Sequence, residues 1–265
     1  MPCSIQVDLT RTFPRQFVPP DADMGDWAQV EPLFAELLRR QPATAEELER
    51  WLADRSEILT AFAEERNKRY VAMTSQTDDP VREAAYQKFV EELLPRFKPL
   101  VHALEKAYLA SPSRRLLSAS RYRVLDRNVE NRVALFRKEN VPLETEDDLL
   151  AKDYQKTVGA MTVMMNGAEL TVQQAAKLLE EPDRALRQQI WERISGRYLQ
   201  DKDVLDQIYD QFVALRTQIA ANAGFSNYRD FMFRRLERFE YSHEDCFRFH
   251  DAVERAFPLL PVDQP

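Results

Sequence analysis

The sequence predicts a mainly α protein of long antiparallel helices, with one short β-hairpin near residues 161–170. Three observations carry this. Glycine is scarce: five residues in 265, against about 18 at average usage. Apolar residues recur at spacings of three and four over most of the chain. Asn166-Gly167 sits between two short apolar runs, the dipeptide a type I′ hairpin turn favours because both residues accept positive φ.

The elements follow in chain order. Residues 1–25 read as irregular or briefly extended, because Pro14, Pro19 and Pro20 block helix. Trp27, Val30, Phe34, Leu37 and Leu38 share one helical face. Thr44 and Glu47 form a capping box. The helix it opens carries Leu48, Trp51, Leu52, Leu59 and Phe62 as its apolar stripe. Acidic residues before Pro80 start another helix, and Pro95 and Pro99 predict a kink or break soon after it.

Beyond Ala110, "SPSRRLL" reads as loop and short helix, and "NVENRVALFRKEN" as a helix. The segment "TEDDLLAKDYQKTVGA" reads as one more, with Thr145 and the acids after it at its start. Past the hairpin, Thr171 caps a helix that stops at Pro182. Leu205, Ile208, Phe212, Leu215 and Ile219 then line a stripe of coiled-coil-like spacing. Gly224-Phe225 is a helix stop, Ser226 starts the next helix, and Ser242 starts the last. Prolines 258, 261 and 265 close the chain.

Composition excludes several functions. The net charge is −7, and Lys and Arg are dispersed among Asp and Glu, so no basic stripe exists to neutralise nucleic-acid phosphates. The chain offers no Gly-rich phosphate cradle. Its start lacks the apolar run of a signal peptide, and no stretch reads as a membrane span, so no membrane partner is expected. Cys3 and Cys246 build no disulfide framework. The chain reads as cytoplasmic.

"SHEDCFRFHDAVE", residues 242–254, invites comparison with a zinc-peptidase helix. That chemistry needs histidines at i and i+4, so that both imidazoles reach one ion, with a glutamate beside the first to polarise water. His243 and Glu244 match the first two positions, but Phe247 stands where the second ligand belongs. His250 lies seven residues from His243, about 10 Å along a helix axis. Cys246 and His250 make a geometrically reasonable pair, but a pair is not a site. The simpler reading is a capped helix start: Ser242 as N-cap, and Glu244 and Asp245 against the positive end of the dipole. Phe249, Val253 and Phe257 would then be its buried face, with Cys246 on the edge.

His102, in "LVHALEKAYL", has no second histidine or cysteine beside it and reads as a surface or core residue. Glu105 follows it at the right distance for an inverted zinc motif, but Lys106 then replaces the required histidine. Asp147-Asp148 and Glu180-Glu181 sit at helix ends and read as solvated, and "RRLER" (234–238) reads as a wet helix face. No catalytic, cofactor-binding or metal-binding set is expected in this chain.

Read together, "ELERWLADRSEILTAFAEE", "LFRKENVPLE", "TVMMNGAELTVQQAAKLLEEPDRALRQQIWE" and "LRTQIAANAGFSNYRDFMFRRLERFEYSHEDCFRFHDAVE" resemble the oligoendopeptidase F branch of the thimet-oligopeptidase-like zinc metallopeptidases. The resemblance runs from about Trp27 and covers the N-terminal part of the family only. It implies a helical channel that admits short peptides, with zinc held by an HExxH helix and a downstream glutamate. No residue here corresponds to those ligands, so zinc is expected in the full-length family and not in this chain. The implied domains are 1–115, a helical region; 116–181, the hairpin-containing N-terminal-type domain; and 182–265, the first helices of the catalytic domain. The ending "PLLPVDQP" departs from the family, as a truncation, a frameshift or a split gene would make it do. The expected role is a non-catalytic portion of a zinc-dependent oligoendopeptidase, inactive alone. The alternatives are half of a split peptidase, completed by a second chain with the catalytic residues, and a peptide-binding adaptor.

Overall fold

The computed structural model describes residues 15–257. Cys3, Pro14 and prolines 258, 261 and 265 lie outside them. The described residues form eleven α-helices and one two-stranded hairpin.

Helix α1 (Trp27–Arg39) starts at Asp26, whose carboxylate accepts from the Ala28 N–H, and it buries Val30, Phe34 and Leu37. Leu38, expected on the same face, falls at its exposed edge. Helix α2 (Ala45–Ser75) starts at Thr44, whose hydroxyl accepts from the Glu47 N–H at 3.2 Å. The reciprocal half of the box differs from expectation: the Glu47 carboxylate takes the Ala43 N–H at 2.7 Å, one residue further out. The two helices are tied end to side, since Trp51 Nε1 donates to the Leu37 carbonyl at 2.9 Å.

Asp79 caps α3 (Pro80–Lys88). A π-helical turn at Phe89–Leu93 joins it to α4 (Leu94–Ala110). The break expected at Pro95 and Pro99 is therefore a local widening in a helix that continues. Pro95 has no N–H to donate and its ring crowds the carbonyl four residues back. Lengthening that turn, with the Leu94 N–H bonded to Phe89 O, accommodates both. The turn is followed by Phe97, which stacks on Phe62 of α2 at 3.7 Å between centroids and meets Phe34 of α1 edge-on. These rings are the centre of the largest core.

After a 3₁₀ turn (Pro112–Leu116) come α5 (Ala119–Leu135) and α6 (Asn140–Gly159). Here the expected boundaries shift. The helix placed on "NVENRVALFRKEN" starts earlier and ends at Leu135, and α6 begins five residues before Thr145. Thr145 is internal, its hydroxyl bonded back to Val141 O. Long-range contacts set this start: Asn140 donates to Ile219 O at 3.0 Å and accepts from Asn222 at 2.7 Å.

Strands β1 (Thr162–Met165) and β2 (Ala168–Thr171) pair antiparallel, Met165 opposite Ala168. Asn166 and Gly167 take φ of 50° and 81°, as the hairpin requires. Thr171 and Gln174 form a capping box at the start of α7 (Val172–Ala176). The hairpin and α7 pack on Ile190 of α8 (Arg184–Gln200), forming a small separate core.

Helix α9 (Lys202–Asn222) lies along α6 and buries Ile208, Leu215 and Ile219. It ends in a Schellman turn: Gly224 at φ 87°, with Phe225 N bonded to Ala220 O and Gly224 N to Ala221 O. Helix α10 (Tyr228–Arg235) is capped by Asn227, one residue after the expected Ser226, because the Asn227 side chain accepts from Asp230 N–H. Its Phe231 joins the core between α6 and α9. Helix α11 (His243–Ala256) completes the described chain and buries none of its residues.

Candidate functional site

The sequence stretch with metal-like residues lies on α11, and its capped-helix reading holds. The Asp245 carboxylate accepts from the Ser242 N–H at 2.8 Å and from its hydroxyl at 3.0 Å. His243 is held at the surface by Glu244 (Nε2 to Oε1, 2.9 Å) and Asp230 (Nδ1 to Oδ1, 3.6 Å). His250 lies against Phe247 and Phe249 instead of facing His243. These donors do not fit a zinc ion. Among the described residues, no three of His, Cys, Asp or Glu gather as a metal would need.

The expected buried face of α11 is corrected by the structure. Phe249, Val253 and Phe257 are 66%, 47% and 65% exposed, and Cys246 is half-buried. Their spacing does make an apolar stripe, but no described element lies over it.

The other histidine leads to a better candidate. His102 lies on α4 one turn after Lys98, with Glu105 one turn further on. All three line a cleft of about 350 Å³ enclosed by α4, α5, α6 and α10. Phe97, Val101, Leu135, Phe136 and Phe231 supply its apolar wall. The His102 ring stacks on Phe136 at 4.0 Å between centroids and 14° between planes. Its Nδ1 is shut away from solvent with no hydrogen-bond partner. Burial, reinforced by Lys106 and opposed by Glu105, holds the imidazole below its ordinary pKa, so it is neutral at pH 7.

Two carboxylates organise the charges of the cleft. Glu105 is buried and takes Arg55 Nη2 at 3.1 Å and Arg132 Nε at 2.5 Å. Arg132 in turn reaches Glu237 at 2.5 Å. Burial lowers the Arg55 pKa, with Arg132 nearby adding to that effect and Glu105 opposing it. For Arg132 burial acts the same way, but Glu105 and Glu237 outweigh it and the guanidinium is held above its usual value. Glu144 lies between Lys98, at 2.8 Å, and Arg235. Burial opposes its charge, yet the two cations hold its carboxyl below the ordinary range. Arg137 enters from the α5–α6 connection and carries no carboxylate partner among the described residues.

Little of this cleft was legible beforehand. In the sequence His102 reads as a lone residue. Lys98, His102 and Glu105 share one face of α4, a weak signal because charged faces are usually solvated. Arg132, Arg137, Glu144 and Arg235 come from three further segments, and nothing in local spacing joins them.

Comparison with known proteins places this architecture. Residues 21–136 match the family described as Peptidase M3 N-terminal domain. This segment is similar to that domain. Solved structures share the fold over most of the chain. PZ peptidase A, solved with an inhibitor, superposes with a TM-score of 0.80 at 25% identity, covering 91% of this chain and 43% of its own. A structure described as an oligoendopeptidase F superposes with a TM-score of 0.81 at 26% identity, again covering 91% and 43%. A third, described as an oligoendopeptidase F from Bacillus anthracis str. Ames, has a TM-score of 0.79 at 23% identity and shares the fold. The chain thus spans less than half the length of each of these structures. These likenesses bear out the resemblance to the N-terminal part of the oligoendopeptidase F branch. No curated protein matches the chain.

The matched segment contains α1 to α5 and therefore the α4 and α5 sides of the cleft. The opposite sides, α6 and α10, lie beyond the matched segment.

Proposed function

We propose that this chain is the non-catalytic, channel-wall portion of a zinc-dependent oligoendopeptidase that acts on short peptides in the cytoplasm. The observation that carries this reading is the superposition on M3-type structures over 91% of the chain but 43% of theirs. The sequence agrees with it, since no HExxH occurs anywhere in the 265 residues. Zinc and the water-activating carboxylate belong, in this reading, to sequence outside this chain.

The role assigned to the chain is physical. Helices packed on a rigid aromatic core form a wall that does not yield to a folded protein, so substrates are limited by size. Residues 1–115 make the first helical region, 116–181 the hairpin-containing domain, and 182–265 the first catalytic-domain helices. The last boundary falls at Pro182, just before the Asp183 cap of α8.

The test measures zinc content and cleavage of a fluorescence-quenched peptide by the purified chain. The expected result is no stoichiometric zinc and no chelator-sensitive turnover. One zinc per chain together with chelator-sensitive cleavage would overturn the reading.

A further inference from the structure

The cleft beside His102 has an unbalanced charge. Lys98, Arg132, Arg137 and Arg235 line it, against two carboxylates, Glu105 and Glu144. Both carboxylates are already shared between two cations. At the flank, Arg55 adds one positive charge and Glu237 one negative, which cancel. Two positive charges remain over, next to an apolar wall and a partnerless buried imidazole nitrogen.

Arg137 is the cation best placed to receive a ligand. Its Nε donates to Asn222 O at 3.1 Å, and its Nη1 to Ala134 O at 2.9 Å and Phe136 O at 2.8 Å. These carbonyls end α9 and α5, so they hold the guanidinium still without cancelling its whole charge. Its Nη2 has no partner among the described residues. A fixed, half-buried guanidinium with one free NH2 group at the end of an apolar cleft favours an anionic oxygen as its acceptor.

We propose that this cleft binds the C-terminal end of a short peptide whose last residue is apolar. The terminal carboxylate pairs with Arg137, and the side chain lies against Phe97, Val101 and Phe231. A volume of about 350 Å³ is at the small end of ligand sites, which suits one terminal residue and not a folded chain. The choice of a peptide over another apolar carboxylate rests on the peptidase reading above; the charge and shape do not.

The test is calorimetric titration of the full chain with N-acetyl-Leu-Phe, with its C-terminal amide, and with 3-phenylpropionate. The acid is expected to bind, and the amide about tenfold more weakly, the scale of one charge-assisted hydrogen bond. Arg137→Gln should reduce the acid to the level of the amide, and Lys98→Gln should weaken it severalfold. Should Arg137→Gln fail to fold, the comparison of acid with amide on the natural chain decides alone. Equal binding of acid and amide, or no binding of the acid up to roughly millimolar concentration, overturns the site. Binding of 3-phenylpropionate without the peptide overturns the peptide assignment. Zinc content and cleavage by the same preparation report on the peptidase reading separately.

Discussion

Glu105 on α4 and Arg132 on α5 meet at 2.5 Å, and the same carboxylate oxygen also takes Arg55 of α2. One buried acid thus joins three helices beneath the candidate cleft. Arg55 and Glu105 side chains are 9% and 5% exposed, so water cannot replace either partner.

Glu105→Gln should therefore be among the most destabilising single changes outside the apolar core. It leaves Arg55 buried without a counter-charge, an arrangement that costs about 3–5 kcal/mol. Urea denaturation would measure it. The double change Arg55→Met with Glu105→Leu should cost less than the single one, because it removes the stranded charge. A loss below about 1 kcal/mol for Glu105→Gln would mean the carboxylate is not the organising group.

Acid should weaken the fold before the carboxylates titrate. His102 is held below its ordinary value of 6.5 in the folded chain, chiefly by burial. Between that depressed value and 6.5 the unfolded chain binds more protons than the folded one, so stability falls as pH drops. The contribution is complete above 6.5 and is lost as pH falls from there through the folded value. Comparing urea midpoints at about pH 7.5 and about pH 5.5 tests it. His102→Gln should flatten the difference, and an unchanged slope in that variant would assign the effect elsewhere.

The apolar stripe of α11 should matter for association and not for folding. Phe249→Ser with Phe257→Ser removes two side chains that are 66% and 65% exposed. Stability should change by no more than about 0.5 kcal/mol. Self-association, read by sedimentation velocity, should fall, because exposed apolar patches drive it. Loss of cooperative melting in the variant would show that the stripe is covered within the fold.

Two glycines should respond to alanine with opposite signs. Gly224 stands at φ 87° in the turn that ends α9, and a Cβ there is strained, so Gly224→Ala should cost about 1 kcal/mol. Gly196 lies inside α8 with open space where a Cβ would go. Gly196→Ala should stabilise by about 0.5–1 kcal/mol, as expected for a helix interior. Thermal melts of the two variants would order them. Shifts of the same sign would reject the conformational argument.

The elements that local chemistry controls were legible in advance. Asp79 before Pro80, Thr171 with Gln174, and Asn166-Gly167 each act on backbone groups within a few residues, so spacing alone identifies them. The stripes of α1 and α9 were equally readable, because one continuous face meets one core. Where distant contacts intervene, spacing misleads. Asn140 moved the start of α6 from Thr145 through its bonds to Ile219 and Asn222, some eighty residues away.

The opposed fates of two similar stripes make the division plain. Ile208, Leu215 and Ile219 on α9 are buried, while Phe249, Val253 and Phe257 on α11 are not. Sequence by itself determined that both helices exist, where α9 stops and where α11 starts, and which side of each is apolar. It also determined that no HExxH is present, since that is a matter of residue order. Only the tertiary structure decided which stripe is covered, and that Glu105, Arg132, Arg137, Glu144 and Arg235 converge around His102. Caps and periodicity depend on neighbours within one turn; burial and charge balance depend on every element that folds back within a few ångströms.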